Sequence, residues 1–331
     1  MGQPTMEDVA ARAGVSRALV SLVMRGSRNV SDGRRRAVQA AAEELGYRPH
    51  AMARSLAERR TNMVGVMLSD LHNPFFAELF DGMEAAARAR GLRLLITTGD
   101  RRPAGEWAAV ESLLDLRTDG IILASTKLEA KRIDQAARIV PLALVARATR
   151  SPAVDSVVCD DVHGAELAVE HLVNLGHRRI AHIDGGTAPG ARSRRTGYER
   201  AMRRAGLAAN VRVRHGEFTE AAGAAAAGAL LSGRNRPTAI FVANDLAAVG
   251  VLDAVEEHGL RVPVDVSVVG FDNASLARID HIALTTIDQP RLSMGRMTME
   301  AIIERLDGRS AAVHRTLPPS LVVRATTAPP P

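Results

Sequence analysis

Cysteine occurs once in this 331-residue chain, at Cys159. A single thiol excludes an intrachain disulfide framework and a cysteine-rich zinc site, and its setting, VVCDD, reads as a buried strand end. Lysine is confined to Lys127 and Lys131, so arginine carries almost all of the positive charge. There is no apolar run of about eighteen residues and no basic leader followed by an apolar stretch. The expectation is a soluble, cytoplasmic protein with no membrane partner. Several catalytic signatures are missing as well. VGVMLSDLHNPFF lacks the G-x-G-x-x-G loop of a dinucleotide site, and DGGTAPG lacks its spacing. Neither a G-x-S-x-G elbow nor a Walker loop appears. His163, His171 and His177 lie on or beside helices without metal-ligand pairing. The reading is therefore of no enzyme, no cofactor and no metal.

What is present suggests two or three folded units, because the chain exceeds one domain of usual size. A hydrophobic content of 46% is enough for a real core. The net charge of +6 is unevenly placed: residues 1–60 hold eleven arginines against six acids, leaving about one positive charge for the rest. A basic end on a nearly neutral body points to an anionic partner for that end alone. The competing reading is solubility charge.

The first sixty residues carry the clearest pattern. Thr5 can cap a helix, with Asp8 three residues on in capping-box spacing. Gly14 ends that helix and Ser16 caps the next. In the second helix Val20, Val23 and Met24 share one face, while Ala18 and Leu22, flanked by Arg17 and Ser21, lie opposite. A third helix follows Ser31, with Val38, Ala41, Ala42 and Leu45 inward, and ends at Gly46. This is a helix-turn-helix unit with a minimal core. From Tyr47 to Arg60 the sequence is arginine-rich around a short apolar face of Ala53, Leu56 and Ala57. A helix so short does not form alone in water, so it is conditional on partners.

After Asn62 strands alternate with helices: about ten strands, among them MVGVML, GIILAS, AIFVAND and DVSVVGFDN, separated by amphipathic segments. That alternation predicts parallel sheets covered on both faces. Ten strands exceed one comfortable sheet, so two lobes are expected, with a ligand site in the cleft beyond the strands' carboxyl ends. The tail, LPPSLVVRATTAPPP, reads as one strand followed by disorder-prone prolines.

Taken together, TMEDVAARAGVSRALVSLVMRG, VSDGRRRAVQAAAEELGYRPHAMARSLA, NPFFAELFDGMEAAARARG, VANDLAAVG, DVSVVGFDN and LTTIDQP resemble the lactose and purine repressor family of bacterial regulators. The resemblance implies an all-α headpiece at 1–48, a hinge at 49–60 and a periplasmic-binding-protein-like α/β body at 61–331. Its first lobe would take about 61–160 plus 290–325 and its second about 161–289, the final helix and strand returning to the first lobe. It further implies a homodimer on a pseudo-palindromic double-stranded DNA operator, and a small effector that is sugar-like or a nucleobase.

For DNA the resemblance points to Arg17 on guanine, Ala18 and Leu22 on thymine methyls, and Ser16, Ser21, Asn29 and Ser31 on phosphates. Thr5 joins this set, as do Ala53 and Leu56, the hinge residues that would wedge the minor groove. Leu22 and His50 depart from the residues usual in the family. For the effector it points to Phe76, Arg194, Phe218, Asn244 and Asp272, with His72 and Arg147 as further candidates. Ala146 stands where the family often has aspartate, which removes a polar contact near Arg147. The competing classes are a solute-binding protein, which the headpiece opposes, and a Rossmann-like enzyme, which the missing glycine loop opposes.

Overall fold

The structure, a computed structural model, describes residues 4–24, 26–27, 29–47, 60–233 and 235–331. It divides into two units, Met1–Thr61 and Asn62–Pro331. The predicted hinge residues Ala53 and Leu56, and His50 beside them, lie outside the described residues.

In the first unit α1 (Met6–Ala13), α2 (Arg17–Met24) and α3 (Asp32–Glu44) enclose Val9, Val20, Val23 and Val38. The capping box forms as expected: Thr5 N–H donates to Asp8 Oδ2 at 2.7 Å, and Asp8 N–H donates to Thr5 Oγ1 at 3.3 Å. Thr5 N–H, and after it Thr5 Oγ1–H at 2.8 Å, donate to the Asp8 carboxylate and hold its pKa below the usual value. Gly14 takes φ 63°, the left-handed turn that lets α2 restart at once. Ser16 accepts from Leu19 N–H at 3.3 Å. Leu22 is half-buried against this core together with Met24 and Tyr47. In a unit this small the core has few apolar side chains, so the leucine expected on the outer face is drawn inward.

The second unit opens with β1 (Met63–Leu68), α4 (Phe75–Ala89), β2 (Arg93–Thr98), α5 (Pro103–Asp115), β3 (Gly120–Ala124), α6 (Ala130–Ala137), β4 (Leu142–Val145) and β5 (Val154–Cys159). The second lobe holds α7 (Asp161–Asn174), β6 (Ile180–Ile183), α8 (Ala191–Arg204), β7 (Arg212–Arg214), α9 (Glu220–Leu231), β8 (Ala239–Val242), α10 (Asp245–Glu257), β9 (Ser267–Asp272) and β10 (Thr285–Asp288). The chain then runs through α11 (Arg291–Leu306), β11 (His314–Leu317) and β12 (Ser320–Val322). The sheets have the orders β11-β5-β4-β3-β1-β2 and β12-β10-β9-β8-β6-β7.

All pairs are parallel except β10 with β12. The three crossings between lobes thus fall after Cys159, after Asp288 and between Leu317 and Ser320. The expected return of all of 290–325 to the first lobe does not hold for its last strand. Helix α11 and strand β11 do return, but β12 goes back to the second sheet as its antiparallel edge. The prolines at 318 and 319 mark that switch, since proline lacks the N–H to continue a ladder. The tail is also not free: Thr326 Oγ1 donates to the Val268 carbonyl at 2.7 Å, and Ala328 N–H donates to Ser267 Oγ at 3.0 Å. Thr285–Asp288 and His314–Leu317 are strands that the alternation did not single out, being short and threonine- or arginine-bearing.

Helix pairs cover the sheets at very close range. A Cβ on Gly295 would lie 1.9 Å from the Leu79 carbonyl, and one on Gly82 would lie 2.1 Å from that of Leu292, so α4 and α11 touch backbone to backbone. The second lobe repeats the device with α9 and α10, where Gly223 and Gly250 meet the carbonyls of Ala247 and Glu220.

Candidate functional site

A cavity of about 50 Å³ lies beyond the carboxyl ends of the strands, with walls from both lobes. From the first lobe come Ser69 and Asp70 after β1, Phe76 on α4, Ser125 after β3, Ala146 after β4 and Cys159 at the end of β5. From the second come Asp161, Arg194, Phe218, Asp272 and Gln289. This is where parallel α/β sheets place ligands, because the strand ends leave loops and helix N-termini facing one crevice. Ser125, Ala146 and Asp272 all have positive φ, at 54°, 57° and 124°, a conformation that costs energy in non-glycine residues and concentrates at functional sites.

Arg194 anchors the polar wall. Its Nε donates to Asp161 Oδ1 at 2.9 Å, its Nη1 donates to the Ala243 carbonyl, and Nη1 stands 3.6 Å from Asp272 Oδ1. The guanidinium carbon lies 3.8 Å from the Phe271 ring centroid and 5.3 Å from that of Phe218, in cation–π range of both. Burial alone would lower its pKa, but Asp161 and Asp272 outweigh that cost and raise it. Arg194 is thus a fixed cation with its planar fork held between two acids.

Asp272 receives Gln289 Nε2–H at 2.7 Å. Burial pushes its pKa up to about 6 despite the opposing pull of Arg194 and Arg291. Asp245 lies deeper, accepting from Thr286 Oγ1–H at 2.5 Å and from Ala274 N–H at 2.8 Å. Its pKa is raised by burial and by the charge of Asp272. Asn244 caps α10, its Oδ1 accepting from Ala247 N–H at 3.0 Å. It lies outside the cavity lining, and its buried Nδ2 has no hydrogen-bond partner among the described residues.

Of the aromatic candidates, Phe76 is both core and wall: it packs edge-on to Phe75, with ring centroids 5.1 Å apart, and lines the cavity. Phe218 is half-buried, and its ring occupies the space a side chain at Gly185 would need, since a Cβ there would fall 2.0 Å from Phe218 Cε1. His72 is not brought to the cavity. Its side chain is 96% exposed, with Nδ1 3.3 Å from Asp70 Oδ1, because the S-D-L-H-N loop turns it outward. Arg147 is half-buried but lines a separate, wider depression, its Nη1 donating to the Thr126 carbonyl at 2.7 Å and also to that of Leu128. Sequence reasoning missed Asp70, Asp161, Lys127 and Gln289 as lining residues. The D-D pair after β5 was the available signal for Asp161, for strand ends in such sheets point at the cleft.

On the first unit Arg17, Ala18, Asn29 and Ser31 are exposed, and Ser21 is half-buried. Arg17 Nη1 lies 3.4 Å from Glu7 Oε1, with both side chains about 70% exposed (68% and 71%). The described residues contain no metal-ligand cluster and no helix long and apolar enough to cross a membrane.

A helix-turn-helix unit joined in one chain to a two-lobed α/β body with a polar interlobe cavity defines a class: the bacterial regulator that carries its own sensor domain. The comparisons make this specific. Residues 5–50 match the model of bacterial regulatory proteins of the lacI family, and residues 169–327 match the periplasmic binding protein-like domain. The chain is 36% identical to the HTH-type transcriptional regulator DegA of Bacillus subtilis over 333 residues, covering 98% of each. It is 37% identical to the ribose operon repressor of Escherichia coli over 311 residues, covering 91% of this chain and 93% of that one. The crystal structure of the lac repressor dimer bound to operator and the anti-inducer ONPF matches with a TM-score of 0.89 at 30% identity, covering 99% of this chain and 100% of that chain. The chain belongs to the lacI family of bacterial transcriptional regulators, a family that is not enzymatic.

Proposed function

We propose that this protein is a cytoplasmic homodimeric repressor whose grip on a pseudo-palindromic operator is released by a sugar-like effector in the interlobe cavity. The observation that carries this reading is Arg194, held between Asp161 and Asp272 at a cavity walled by both lobes. A fixed guanidinium beside a carboxylate recognises vicinal hydroxyls, donating to one and accepting from the next. Phe76 and Phe218 supply apolar surface for a ring. Two relatives support the class of effector and the DNA role by their names: a ribose operon repressor and a lac repressor dimer bound to operator.

In this reading Arg17 and Ala18 contact bases, while Thr5, Ser16, Ser21, Asn29 and Ser31 contact phosphates. Leu22, being half-buried, contributes less base contact than its position suggests. Residues 49–60, with Ala53 and Leu56, form the hinge. The effector acts only through its different affinity for two arrangements of the lobes, so an interlobe site is what such a switch requires.

The test is fluorescence anisotropy with promoter fragments, with salt and candidate sugars titrated. Operator binding should weaken steeply with salt. Arg194→Lys should keep operator affinity and raise the half-effective sugar concentration by at least about tenfold, since lysine cannot reproduce the fork. A normal response in that variant would remove the cleft from the mechanism.

A further inference from the structure

Beside the Arg194 cavity lies a second, wider depression of about 470 Å³, and the two share Lys127 and Pro189 in their walls. Its charged lining is entirely positive: Arg101, Lys127 and Arg147, with no acid among the lining residues. Among the described residues Lys127 makes no ion pair, in a chain that uses lysine at only two positions. Arg101 reaches only to 3.8 Å from Asp70 Oδ2, and its side chain is 42% exposed. Arg101 also follows Asp100 in two successive positive-φ residues, at 57° and 52°, a strained turn in the loop that carries it. The Nη1 bonds of Arg147 to the carbonyls of Thr126 and Leu128 fix its guanidinium to the wall. Burial lowers the Arg147 pKa, and the charge of Glu106 acts against it.

The opposite wall is formed by Thr187, Pro189 and Gly190, and Gly190 is the N-cap of α8. That helix start has no side-chain cap and no acid in its first turn; Ala191 N–H donates to the Ala188 carbonyl at 3.1 Å, and the positive end of the helix dipole adds to the three cations. Asp161, the carboxylate beside Gly190, is already engaged by Arg194 Nε.

We propose that the effector is an anion: a sugar-sized molecule whose hydroxyls meet Arg194 and Asp272 and whose phosphate or carboxylate occupies the depression at Lys127, Arg101 and Arg147. This rests on the interlobe cavity being the effector site and names the chemical class it takes. The neighbouring cavities divide the recognition. The deep one, with acids and a paired arginine, suits neutral hydroxyls, and the outer one, lined by three cations and no acid, suits charge. Because walls of the outer depression come from both lobes, an anion there also draws them together.

The experiment uses the full-length protein and two sets of probes. Inorganic phosphate, titrated against chloride at fixed ionic strength, should raise the melting temperature of the wild type more than that of Lys127→Gln. Equal shifts in the two proteins, or none, overturn the proposal without touching the cleft reading. Calorimetry then compares ribose with ribose 5-phosphate, and glucose with glucose 6-phosphate and gluconate. At least one anionic member should bind roughly tenfold more tightly than its neutral parent, and Lys127→Gln should abolish that difference. Neutral sugars binding as tightly as their anionic partners would also overturn it. If Arg194→Lys leaves every affinity unchanged, it is the cleft reading itself that fails.

Discussion

Gln289 donates its side-chain amide to Asp272 Oδ1 at 2.7 Å, so the carboxylate facing the cavity is tied to the segment where the chain passes back to the first lobe. Two residues on, Arg291 Nη2 donates both to the Asn273 carbonyl at 2.7 Å and to Glu78 Oε2 at 2.8 Å, bridging the second lobe to α4 of the first. The cavity and the strap between lobes are therefore one hydrogen-bonded system. In Gln289→Leu the buried Asp272 oxygen loses a donor, a defect costing about 1–3 kcal/mol. Urea unfolding should register that loss. Effector titration should shift to higher concentration, with operator affinity in the absence of effector nearly unchanged. An unaltered effector response would show that the strap does not report on the cavity.

Stability against pH should carry two opposed contributions. Burial raises Asp272 to about 6 from a carboxylate's usual 3.8, so between those values the folded protein holds a proton the unfolded chain has lost. That contribution is present at low pH and is lost as pH rises through about 6. His182, stacked between Tyr198 and Phe241, moves the other way: burial lowers it to about 4 from 6.5. Its contribution is present above about 6.5 and is lost as pH falls toward 4. Asp245, raised by burial and by the charge of Asp272, adds to the first contribution, and His171 and His177, lowered by burial, add to the second. Relative to the wild type, Asp272→Asn should tilt the profile toward stability rising with pH, and His182→Phe should tilt it the opposite way. Urea midpoints across pH 4–7 in the three proteins check this, and parallel profiles would contradict both assignments.

The crossing of α4 and α11 leaves no space for a methyl at Gly295, where a Cβ would sit 1.9 Å from the Leu79 carbonyl. Backbone cannot move aside as a side chain can, so Gly295→Ala should cost at least the roughly 1–3 kcal/mol typical of overpacking. Gly33→Ala is the control, because nothing lies within 4 Å of the added atom and its φ is not positive. Thermal unfolding should separate the two by several degrees.

These glycines also show where the sequence was legible and where it was not. Periodicity placed the three helices of the first unit, because amphipathic spacing follows directly from which face is buried: Val20 and Val23 are inward as their spacing required. The strand end bearing Asp272 was readable from the apolar run DVSVVGFDN. What periodicity cannot encode is partnership across the sheet. Asp161 meets Arg194 from 33 positions away. Ser320–Val322 joins the second sheet instead of the first through pairing with β10. Arg147 and His72 were candidates through the family resemblance, yet one lines a neighbouring depression and the other faces solvent.

Arg17 offers the sharpest separation of stability from recognition. Its side chain is 68% exposed and its nearest acid, Glu7, is equally exposed at 3.4 Å, so the pair adds little to folding. Arg17→Ala should leave the unfolding midpoint nearly unchanged. At the operator the outcome differs, because a bidentate arginine–guanine contact contributes about 1–3 kcal/mol of discrimination whereas a phosphate contact contributes none. Binding selection from a randomised operator library, before and after the substitution, distinguishes the two. Loss of preference at one base pair per half-site assigns Arg17 to the major groove. Uniform weakening at every sequence, with a shallower salt dependence, assigns it to the phosphate backbone instead.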